Sequence, residues 1–349
     1  MKWFHNPFRL VRVVGTFFRT GAVEQVLKIT KVSKLIKFGI LFMGKPLIVF
    51  GIKGPYKKSP IVRALIALGP AYIKFGQLLS TRPDIVGADL ANELKVLQDS
   101  LDPFPTTEAK KIVNEELGRP VESIFSSFSD SIAAASIAQV HKATVKETKE
   151  LVAVKILRPN VEKVFLKDLA ALLFLAKFIE IIIPSFRRLK PTEVINHFER
   201  LVREELDLRM EISAAAEFAE NTKSDRNFYV PKVIWSLSGR RVVTTEWVDG
   251  MSVGDIERIK KSGVDIESFA KRIIKTFLTQ ALRDGFFHGD MHQGNLKCRS
   301  DGTLIVMDFG IMGRIDEYTR KTYAEILIGF LRRDYLRVAE VHFEAGYVP

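Results

Sequence analysis

A chain of 349 residues with 47% hydrophobic side chains has room for two domains of ordinary size with buried cores. Its single cysteine, Cys298, excludes a disulfide framework and fits a reducing compartment. The formal net charge of +12 is concentrated in residues 1–60, which hold twelve basic residues and one acid, Glu24, so the remaining body is almost neutral.

Residues 1–60 form a basic arm that is also rich in large apolar side chains. These are Trp3, Phe4, Phe8, Leu10, Val11, Val13, Val14, Phe17 and Phe18, followed by Leu35, Ile36, Phe38, Ile40, Leu41 and Phe42. Cationic amphipathic segments of this kind bind anionic membrane surfaces, which is the interpretation that we favour. A helical hairpin that packs on the body with its lysines in solvent is the alternative. The bulky side chains disfavour nucleic-acid binding, and no stretch of the sequence reaches the ~20 apolar residues of a transmembrane helix.

A helix is predicted over residues 71–80, between Gly69-Pro70 and Pro83. Lys74 and Gln77 lie three residues apart on it and share one face. Taken alone, such a lysine is most simply a surface residue whose aliphatic stem packs on apolar neighbours. A further helix is predicted over residues 106–117.

Small residues lead into the next predicted strands in the manner of a nucleotide-binding hairpin. A loop of small side chains lets the backbone approach phosphates, and the strand over residues 151–156 carries Lys155 in the position of a phosphate-binding lysine. Alanine stands where glycine is usual, so the loop should be stiffer, because alanine rarely adopts a positive φ. The candidate nucleotide contacts are Ala133, Ala134, Ala135, Ser136 and Lys155, with Glu246 and Val248 offering backbone groups to an adenine from a later hinge.

Two long helices are predicted over residues 161–183 and 191–221. The first is hydrophobic nearly all round, which indicates burial against other helices. The second carries Glu205, Asp207 and Glu211. At 100° per residue Asp207 and Glu211 share a face while Glu205 points elsewhere. These acids are candidates to pair with lysines, although most acids on a helix are merely solvated.

A short β-hairpin near the C-terminus is predicted to bring the metal ligands together. Asp301-Gly302 is a strong two-residue turn signal, and the β-rich run 303–307 follows it. If those two residues form the whole turn, the ladder places Asn295 directly opposite Asp308. An amide oxygen and a carboxylate at that separation suit Mg²⁺, which binds one or two carboxylates together with substrate phosphates.

The same stretch has the spacing of a protein-kinase catalytic loop. Asp290 lies five residues before Asn295, and Asp308 begins an Asp-Phe-Gly element. The chain then enters a helix over residues 317–332 without a long activation segment, so nothing resembles a platform for protein substrates. A metallohydrolase built on His288, Asp290 and His292 is a disfavoured alternative.

We therefore expect an α+β, two-lobed protein-kinase-like fold with a helical N-terminal extension. The expected segments are the basic arm 1–60, a helical extension 61–130, an N-lobe 131–248 and a C-lobe 249–349. The C-lobe ends without a closing element, so we expect the sequence to be a fragment.

These residues together resemble the UbiB family of atypical kinase-like proteins, which is associated with ubiquinone biosynthesis. The resemblance covers the chain from about residue 68 onward. It is carried by residues 74–77 and 80–84, the alanine-rich loop, Lys155, the Glu205–Asp207 pair, and the loop from His288 to Asn295. Here the catalytic loop has Gly289 and Gln293 where many members have alanine and proline.

The resemblance implies roles for the remaining candidates. Lys74 would contact Glu205 and Asp207 and gate the site together with Gln77. Lys155 would pair with Glu211 and the phosphates of ATP. The expected cofactors are thus ATP and Mg²⁺, with Asp290 orienting water or a hydroxyl.

The resemblance also implies partners and a location. Members act as ATPases or unorthodox small-molecule kinases at a membrane, so prenylated phenols or quinone lipids and other quinone-biosynthesis proteins are expected partners, and nucleic acid is not. We expect membrane association at the cytoplasmic face of a bacterial inner membrane, or alternatively at the matrix side of the mitochondrial inner membrane. A nucleotide-binding scaffold without catalysis is the alternative function.

Overall fold

A computed structural model describes residues 7–29, 33–99, 102–182 and 184–348. Trp3 and Phe4 of the arm lie outside the described residues. The chain forms two compact units. Unit 1 contains the described residues up to Ala143 and Val154–Leu206, and unit 2 contains Thr144–Ala153 and the described residues from Asp207 onward. The mixture of helix and sheet confirms the α+β class, while the four-segment division of the sequence stays a prediction.

Unit 1 is mainly helical. Its elements are α1 (Pro7–Thr20), α2 (Ala22–Ile29), α3 (Lys34–Gly44), α4 (Pro60–Leu68), α5 (Pro70–Ser80), α6 (Pro83–Val86), α7 (Ala88–Leu94), α8 (Thr106–Leu117), α9 (Val121–Ile124), β1 (Phe125–Ala134), β2 (Ala138–Val145), β3 (Leu151–Leu157), α10 (Val161–Ile182) and α11 (Pro191–Glu205), with 3₁₀ turns at Lys45–Phe50, Lys95–Asp99 and Pro184–Leu189. Proline begins α4, α5 and α11, a position at which the backbone N–H group of any residue would have no partner within the helix.

The first helix of the arm, α1, packs on other helices of unit 1. Its buried residues include Val13 and Gly15, and a side chain at Gly15 would overlap the Leu47 carbonyl group. Arg9 forms an ion pair with Asp168 of α10 at 2.6 Å. By contrast, α3 leaves large apolar side chains exposed, namely Leu35, Phe38, Phe42 and Met43. The packed alternative therefore describes α1, whereas α3 presents an apolar face to solvent. No helix among the described residues is both long and apolar enough to span a membrane.

The helices after the nucleotide hairpin differ from prediction in two ways. The predicted burial of α10 against other helices holds for one side only: Phe165 and Leu169 are buried, whereas Phe178 and Ile181 are exposed. The predicted helix 191–221 is two helices, because Asp207 adopts an extended conformation and its side chain caps the next helix through the Arg209 N–H group.

Unit 2 holds short strands among helices. Its elements are α12 (Leu208–Thr222), β4 (Phe228–Tyr229), β5 (Val242–Glu246), β6 (Met251–Ser252), α13 (Ile256–Lys261), α14 (Ile266–Thr279), β7 (Phe286–His288), β8 (Leu296–Cys298), β9 (Leu304–Val306), β10 (Met312–Arg314), α15 (Glu317–Arg332) and α16 (Tyr335–Glu344), with a 3₁₀ turn at Trp235–Leu237 and a π turn at Gln280–Asp284. The predicted strand 230–235 is largely absent, since only Val233 makes a β-bridge, to Thr245.

Three sheets order these strands. In the first sheet, β1, β2 and β3 are neighbours in that order. The hairpin ends of β2 and β3 belong to unit 2, where the Leu151 carbonyl oxygen accepts a hydrogen bond from the Trp247 N–H group. A four-stranded sheet has the order β4-β9-β8-β6, with β4 parallel to β9 and the other pairs antiparallel. The strands β7 and β10 form a separate antiparallel pair.

An aromatic cluster in unit 2 lies next to the Asp-Phe-Gly element. Phe218 is fully buried, and its ring lies 5.7 Å from Phe228, 6.1 Å from Phe286 and 5.6 Å from Phe309 between centroids. The cluster continues into the buried residues of β8 and β9. Because Phe309 belongs to the Asp-Phe-Gly element, this core fixes the backbone on which Asp308 stands.

Candidate active site

The hairpin that carries Asn295 and Asp308 has a different register from the predicted one. Leu296 pairs with Val306, and the Met307 N–H group donates to the Asn295 carbonyl oxygen at 2.8 Å. Asn295 is thus opposite Met307, and the predicted direct opposition of Asn295 and Asp308 was wrong by one residue.

The turn explains the shift. The Arg299 N–H group donates to the Thr303 carbonyl oxygen at 3.0 Å, so the loop has three residues, 300–302. Gly302 has a φ of +79°, as expected for a three-residue hairpin that ends in a left-handed glycine. Asp301 Oδ1 accepts a hydrogen bond from the Thr303 N–H group at 2.8 Å, which closes the turn.

Asp308 leaves the strand in a left-handed conformation with a φ of +57°. Few residues other than glycine adopt this conformation, although aspartate and asparagine tolerate it. Its Oδ1 atom accepts a hydrogen bond from the Gly310 N–H group at 3.2 Å. Since β9 ends at Val306, the alternation of a strand no longer determines the direction of the Asp308 side chain.

His288 connects the catalytic loop to the Asp-Phe-Gly element. Its Nδ1 atom accepts from the Asp290 N–H group at 3.1 Å, which leaves Nε2–H to donate to the Asp308 carbonyl oxygen at 2.8 Å. The Gly289 N–H group adds a bond to the Ile311 carbonyl oxygen at 2.9 Å. Both ring nitrogens of the buried His288 are therefore used, which argues against the metallohydrolase alternative.

Asn295 closes the catalytic loop on itself. Its Nδ2 group donates to the Asp290 carbonyl oxygen at 3.1 Å and to Asp290 Oδ2 at 3.2 Å. With the amide nitrogen committed to Asp290, the amide oxygen is the atom that can bind a metal. Asn295 and Asp308 supply the hard oxygen donors that Mg²⁺ prefers. No group of three His, Cys, Asp or Glu side chains suited to a metal occurs within the described parts of the chain.

In unit 1, the motif of residues 74–77 locks α5 to its neighbours. Lys74 Nζ lies 2.7 Å from Glu205 Oε1 at the end of α11. The Phe75 ring packs on Phe198 of α11, with 5.2 Å between centroids. A side chain at Gly76 would overlap Leu65 and Leu97. Gln77 holds the adjoining 3₁₀ turn, since its Nε2 group donates to the Leu97 carbonyl oxygen at 2.9 Å. Each position of the motif thus has a packing or pairing role.

The alanine-rich segment is a tight turn and not an open loop. Ala133 and Ala134 end β1, a strand absent from the sequence prediction, and the Ala135 N–H group donates to the Ala138 carbonyl oxygen at 2.8 Å. Ser136 is buried in this turn. Arg158 donates to the Ala135 carbonyl oxygen from Nε and Nη2, each at 3.1 Å.

Arg158 and Gln139, which the sequence analysis did not single out, support this turn and the strand after it. Arg158 also donates to the Asp102 carbonyl oxygen at 2.8 Å. Next to it, the buried Gln139 exchanges two hydrogen bonds with the Phe104 backbone, at 2.9 and 3.1 Å. These contacts tie the segment before α8 to β2, and burial lowers the pKa of the neighbouring His141.

The expected hinge has its polar groups engaged within unit 2. The Glu246 N–H group donates to the Lys232 carbonyl oxygen at 2.8 Å, and Glu246 Oε2 accepts from the Tyr229 hydroxyl at 2.5 Å. The Val248 carbonyl oxygen accepts from Lys297 Nζ at 3.1 Å. Burial lowers the pKa of Lys297, because removal from water disfavours the charged form of its amine.

Comparisons with known proteins show the family of the chain. A model of the ABC1 atypical kinase-like domain matches residues 96–342, which is more than half of the chain. The chain belongs to the ABC1/UbiB family of atypical kinase-like proteins. Proteins named "Probable protein kinase UbiB" are similar to it: that of Aliivibrio fischeri is 39% identical over 310 residues, 86% of this chain and 57% of the relative. That of Marinobacter nauticus is 36% identical over 346 residues, 98% of this chain and 62% of the relative.

A solved structure also matches. It is that of Rv3197 from Mycobacterium tuberculosis in complex with erythromycin, which is 26% identical with a TM-score of 0.52, over 80% of this chain and 70% of that one. The expected kinase-like fold with a helical N-terminal region is thereby confirmed. The chain spans only about 57–62% of the length of its curated UbiB relatives.

The structure brings together part of the UbiB-family residue set. In unit 1 it pairs Lys74 with Glu205, whereas in unit 2 Asp207 caps α12 and pairs with Arg209, whose hydrogen bond lowers the pKa of Asp207. Lys155 lies in β3 of unit 1 and Glu211 in the first turn of α12 of unit 2. Their catalytic and nucleotide-binding roles stay predictions.

Proposed function

We propose that the protein is an atypical kinase or ATPase that uses Mg-ATP at a membrane surface and supports ubiquinone biosynthesis. The observation that supports this most directly is the His288 bridge, through which one imidazole ring bonds to the backbones of both Asp290 and Asp308. This bridge holds the backbones that carry Asp290, the proposed catalytic residue, and Asp308, the proposed metal ligand. Positioning and electrostatics supply most of the rate in phosphoryl transfer.

Each candidate residue has a proposed role in binding metal, nucleotide or the attacking group. Asn295 and Asp308 would hold the magnesium ion, which neutralises phosphate charge when it is bound. Asp290 would orient the attacking water or hydroxyl group, with its backbone fixed by His288 and its side chain by Asn295. The turn 133–136 and Lys155 are the proposed phosphate contacts, and Glu246 and Val248 are the proposed adenine contacts.

The acceptor is proposed to be water or a small molecule. The three-residue strand β10 follows the Asp-Phe-Gly element and leads almost directly into α15 at Glu317, so residues 311–316 are too few to form a long segment that holds a peptide. The names of the UbiB relatives describe them as probable protein kinases, and a peptide acceptor is therefore an outcome that the assay must include.

The proposed membrane contact is the exposed face of α3. Phe38 and Phe42 stack with 6.2 Å between centroids, and both are exposed beside Lys34 and Lys37. Aromatic rings next to lysines bind the surface of anionic membranes, because the rings enter the interface while the lysines meet lipid phosphates.

Replacing Asp308 by asparagine tests the nucleotide function. Asparagine tolerates the left-handed backbone, so Asp308→Asn removes the charge with little strain. We expect Mg-dependent ATP affinity and phosphate release to fall by at least about 100-fold, as for other groups that stabilise charge during catalysis. Glu257→Gln, at an exposed acid on α13, is the control and should behave as wild type. Unchanged affinity and turnover in Asp308→Asn would refute the assignment.

A nucleotide-binding scaffold is the second candidate. The observation that favours it is that the alanine turn is already closed by hydrogen bonds and fixed by Arg158. A scaffold would bind Mg-ATP without releasing phosphate, even with anionic vesicles and a quinone-like phenol present. Lipid-stimulated turnover that Asp308→Asn abolishes would instead establish catalysis.

A further inference from the structure

A cavity in unit 1 lies between the end of α5, the short helix α6 and the start of α11. Its volume is about 340 Å³, which is within the usual range for small-molecule sites. Half-buried aliphatic side chains form part of its lining, namely Leu78, Leu79, Ile85 and Val194. We call it the α5–α11 cavity.

The cationic side chains of the lining outnumber the acidic ones. Asp84 is held by Arg82 through two hydrogen bonds of 2.6 and 2.8 Å, and Glu193 is held by Lys190 at 3.0 Å. Arg188 and His197 also line the cavity, and in the described part of the chain neither has a hydrogen bond or an ion pair. With its acids already paired, the cavity offers one uncompensated guanidinium group and one imidazole group to a ligand.

This combination determines the class of ligand. A free guanidinium group recognises phosphate or carboxylate through two parallel hydrogen bonds. The aliphatic lining beside it favours a ligand whose anionic group carries an apolar chain, because a fully hydrated anion would leave that lining exposed to water.

The cavity shares its two main helices with the Lys74–Glu205 ion pair. Leu78 follows Lys74 by one turn of α5, and His197 precedes Glu205 by about 12 Å of helix. The contact between the Phe75 and Phe198 rings also joins these two helices. A ligand that touches both α5 and α11 would therefore stabilise the arrangement that pairs Lys74 with Glu205.

We propose that the α5–α11 cavity binds an anionic amphiphile, a phosphate or carboxylate with a short apolar chain, and that the bound ligand holds α5 against α11. Arg188 and His197 bind the anionic group, and the leucine side chains of α5 contact the apolar chain. The proposal does not depend on nucleotide chemistry, and its test contains no nucleotide.

Calorimetric titration with monomeric octyl phosphate tests the proposal. Wild type should bind octyl phosphate saturably and should bind octanol and inorganic phosphate at least about tenfold more weakly. Arg188→Ala combined with His197→Ala should weaken octyl phosphate binding at least about tenfold, whereas Arg119→Ala, which removes an exposed charge outside the cavity, should not. Thermal unfolding of each variant checks that it is folded.

Three results of the titration would contradict the proposal. Equal binding of octanol, equal binding of inorganic phosphate, or an unchanged affinity in the double variant would overturn the proposal. Ile85→Ser removes apolar lining and should weaken octyl phosphate while leaving the weak phosphate binding unchanged. Hydrogen exchange should slow in α5 and α11 when octyl phosphate is bound, and unchanged exchange there would refute the clamping of the two helices.

A separate vesicle-binding experiment distinguishes a membrane lipid from a free amphiphile as the natural ligand. If the natural ligand is a membrane lipid, the Arg188→Ala, His197→Ala variant should bind vesicles of phosphatidylcholine and phosphatidic acid more weakly than wild type does. If octyl phosphate binding falls in that variant and vesicle binding does not, the cavity takes a free amphiphile. Either result supports the shared chemistry of the site.

Discussion

Replacing Arg9 of α1 by alanine should show what it costs to bury the Asp168 carboxylate of α10 without its ion-pair partner. The Asp168 side chain is only 2% exposed, and Arg9 contacts its Oδ1 atom from Nη2 at 2.6 Å and from Nε at 2.7 Å. Tyr72 lies beside this pair, and its buried hydroxyl, like Asp168 Oδ2, has no hydrogen bond of good geometry. In Arg9→Ala the carboxylate would lose its main counter-charge.

The size of the effect follows from burial and pH. Breaking a buried ion pair costs about 3–5 kcal/mol, but the stranded acid can instead take up a proton. Protonation of an ordinary aspartate costs about 4 kcal/mol at pH 7 and about 1.5 kcal/mol at pH 5, and these values limit the charge-dependent part of the loss.

The direction of the pH dependence is also fixed. Burial raises the pKa of Asp168, and Arg9 lowers it, so Arg9→Ala should raise it further. Between the unfolded and the folded pKa the folded state binds more protons, and stability falls as pH rises through that window. The loss caused by Arg9→Ala should therefore be small near pH 4 and increase towards pH 7.

Urea unfolding followed by circular dichroism, at several pH values, measures the loss. Hydrogen exchange in α10 assigns the transition to unit 1. Arg12→Ala, an exposed arginine on the same helix, is the matched control and should cost little. Asp168→Asn in the Arg9→Ala background should remove the pH dependence. If Arg9→Ala matches Arg12→Ala at every pH, α1 does not pack as described.

Three further predictions follow from individual contacts. Lys74→Met should lower the free energy of unfolding by about 1–3 kcal/mol, because it leaves Glu205, whose side chain is 12% exposed, without its ion-pair partner. Adding Glu205→Gln should restore much of this stability in a double-mutant cycle measured by urea unfolding, and additive losses would contradict the pairing. His288→Phe should lower the free energy of unfolding by about 1–3 kcal/mol by leaving backbone groups unbonded, and an unchanged melting temperature would argue against the bridge. Gly302→Ala should destabilise by about 1 kcal/mol because its φ is +79°, whereas Gly39→Ala, in open space on α3, should stabilise; equal effects on melting would refute the backbone argument.

The hairpin that carries Asn295 and Asp308 was predictable from sequence, but its register was not. Asp301-Gly302 suits both a two-residue turn and the last two positions of a three-residue loop, because each needs a left-handed glycine in the same place. The choice between them depends on packing under the strands. Residue types therefore predicted Asn295 and Asp308 as ligands without predicting which residues face each other.

Long-range contacts explain the other failures. The helix pattern continues smoothly across Leu206 and Asp207, but the Leu208 N–H group bonds to the Arg240 carbonyl oxygen at 2.9 Å, outside any helix. The role of His288 was missed for the same reason, since its partners are backbone atoms nineteen and twenty residues away. Sequence periodicity cannot reveal bonds between distant segments.

The backbone of Asp308 reconciles the corrected register with a metal-binding role. Had Asp308 continued β9 in the new register, alternation would have turned its side chain to the face opposite that of its predicted position. It does not continue the strand: its φ is +57°, and its carbonyl oxygen is held by His288. A strained residue persists only where its surroundings fix it, and such residues are concentrated at functional sites. Asp308 is therefore positioned by its left-handed backbone and by the His288 imidazole, and not by direct pairing with Asn295 across the hairpin.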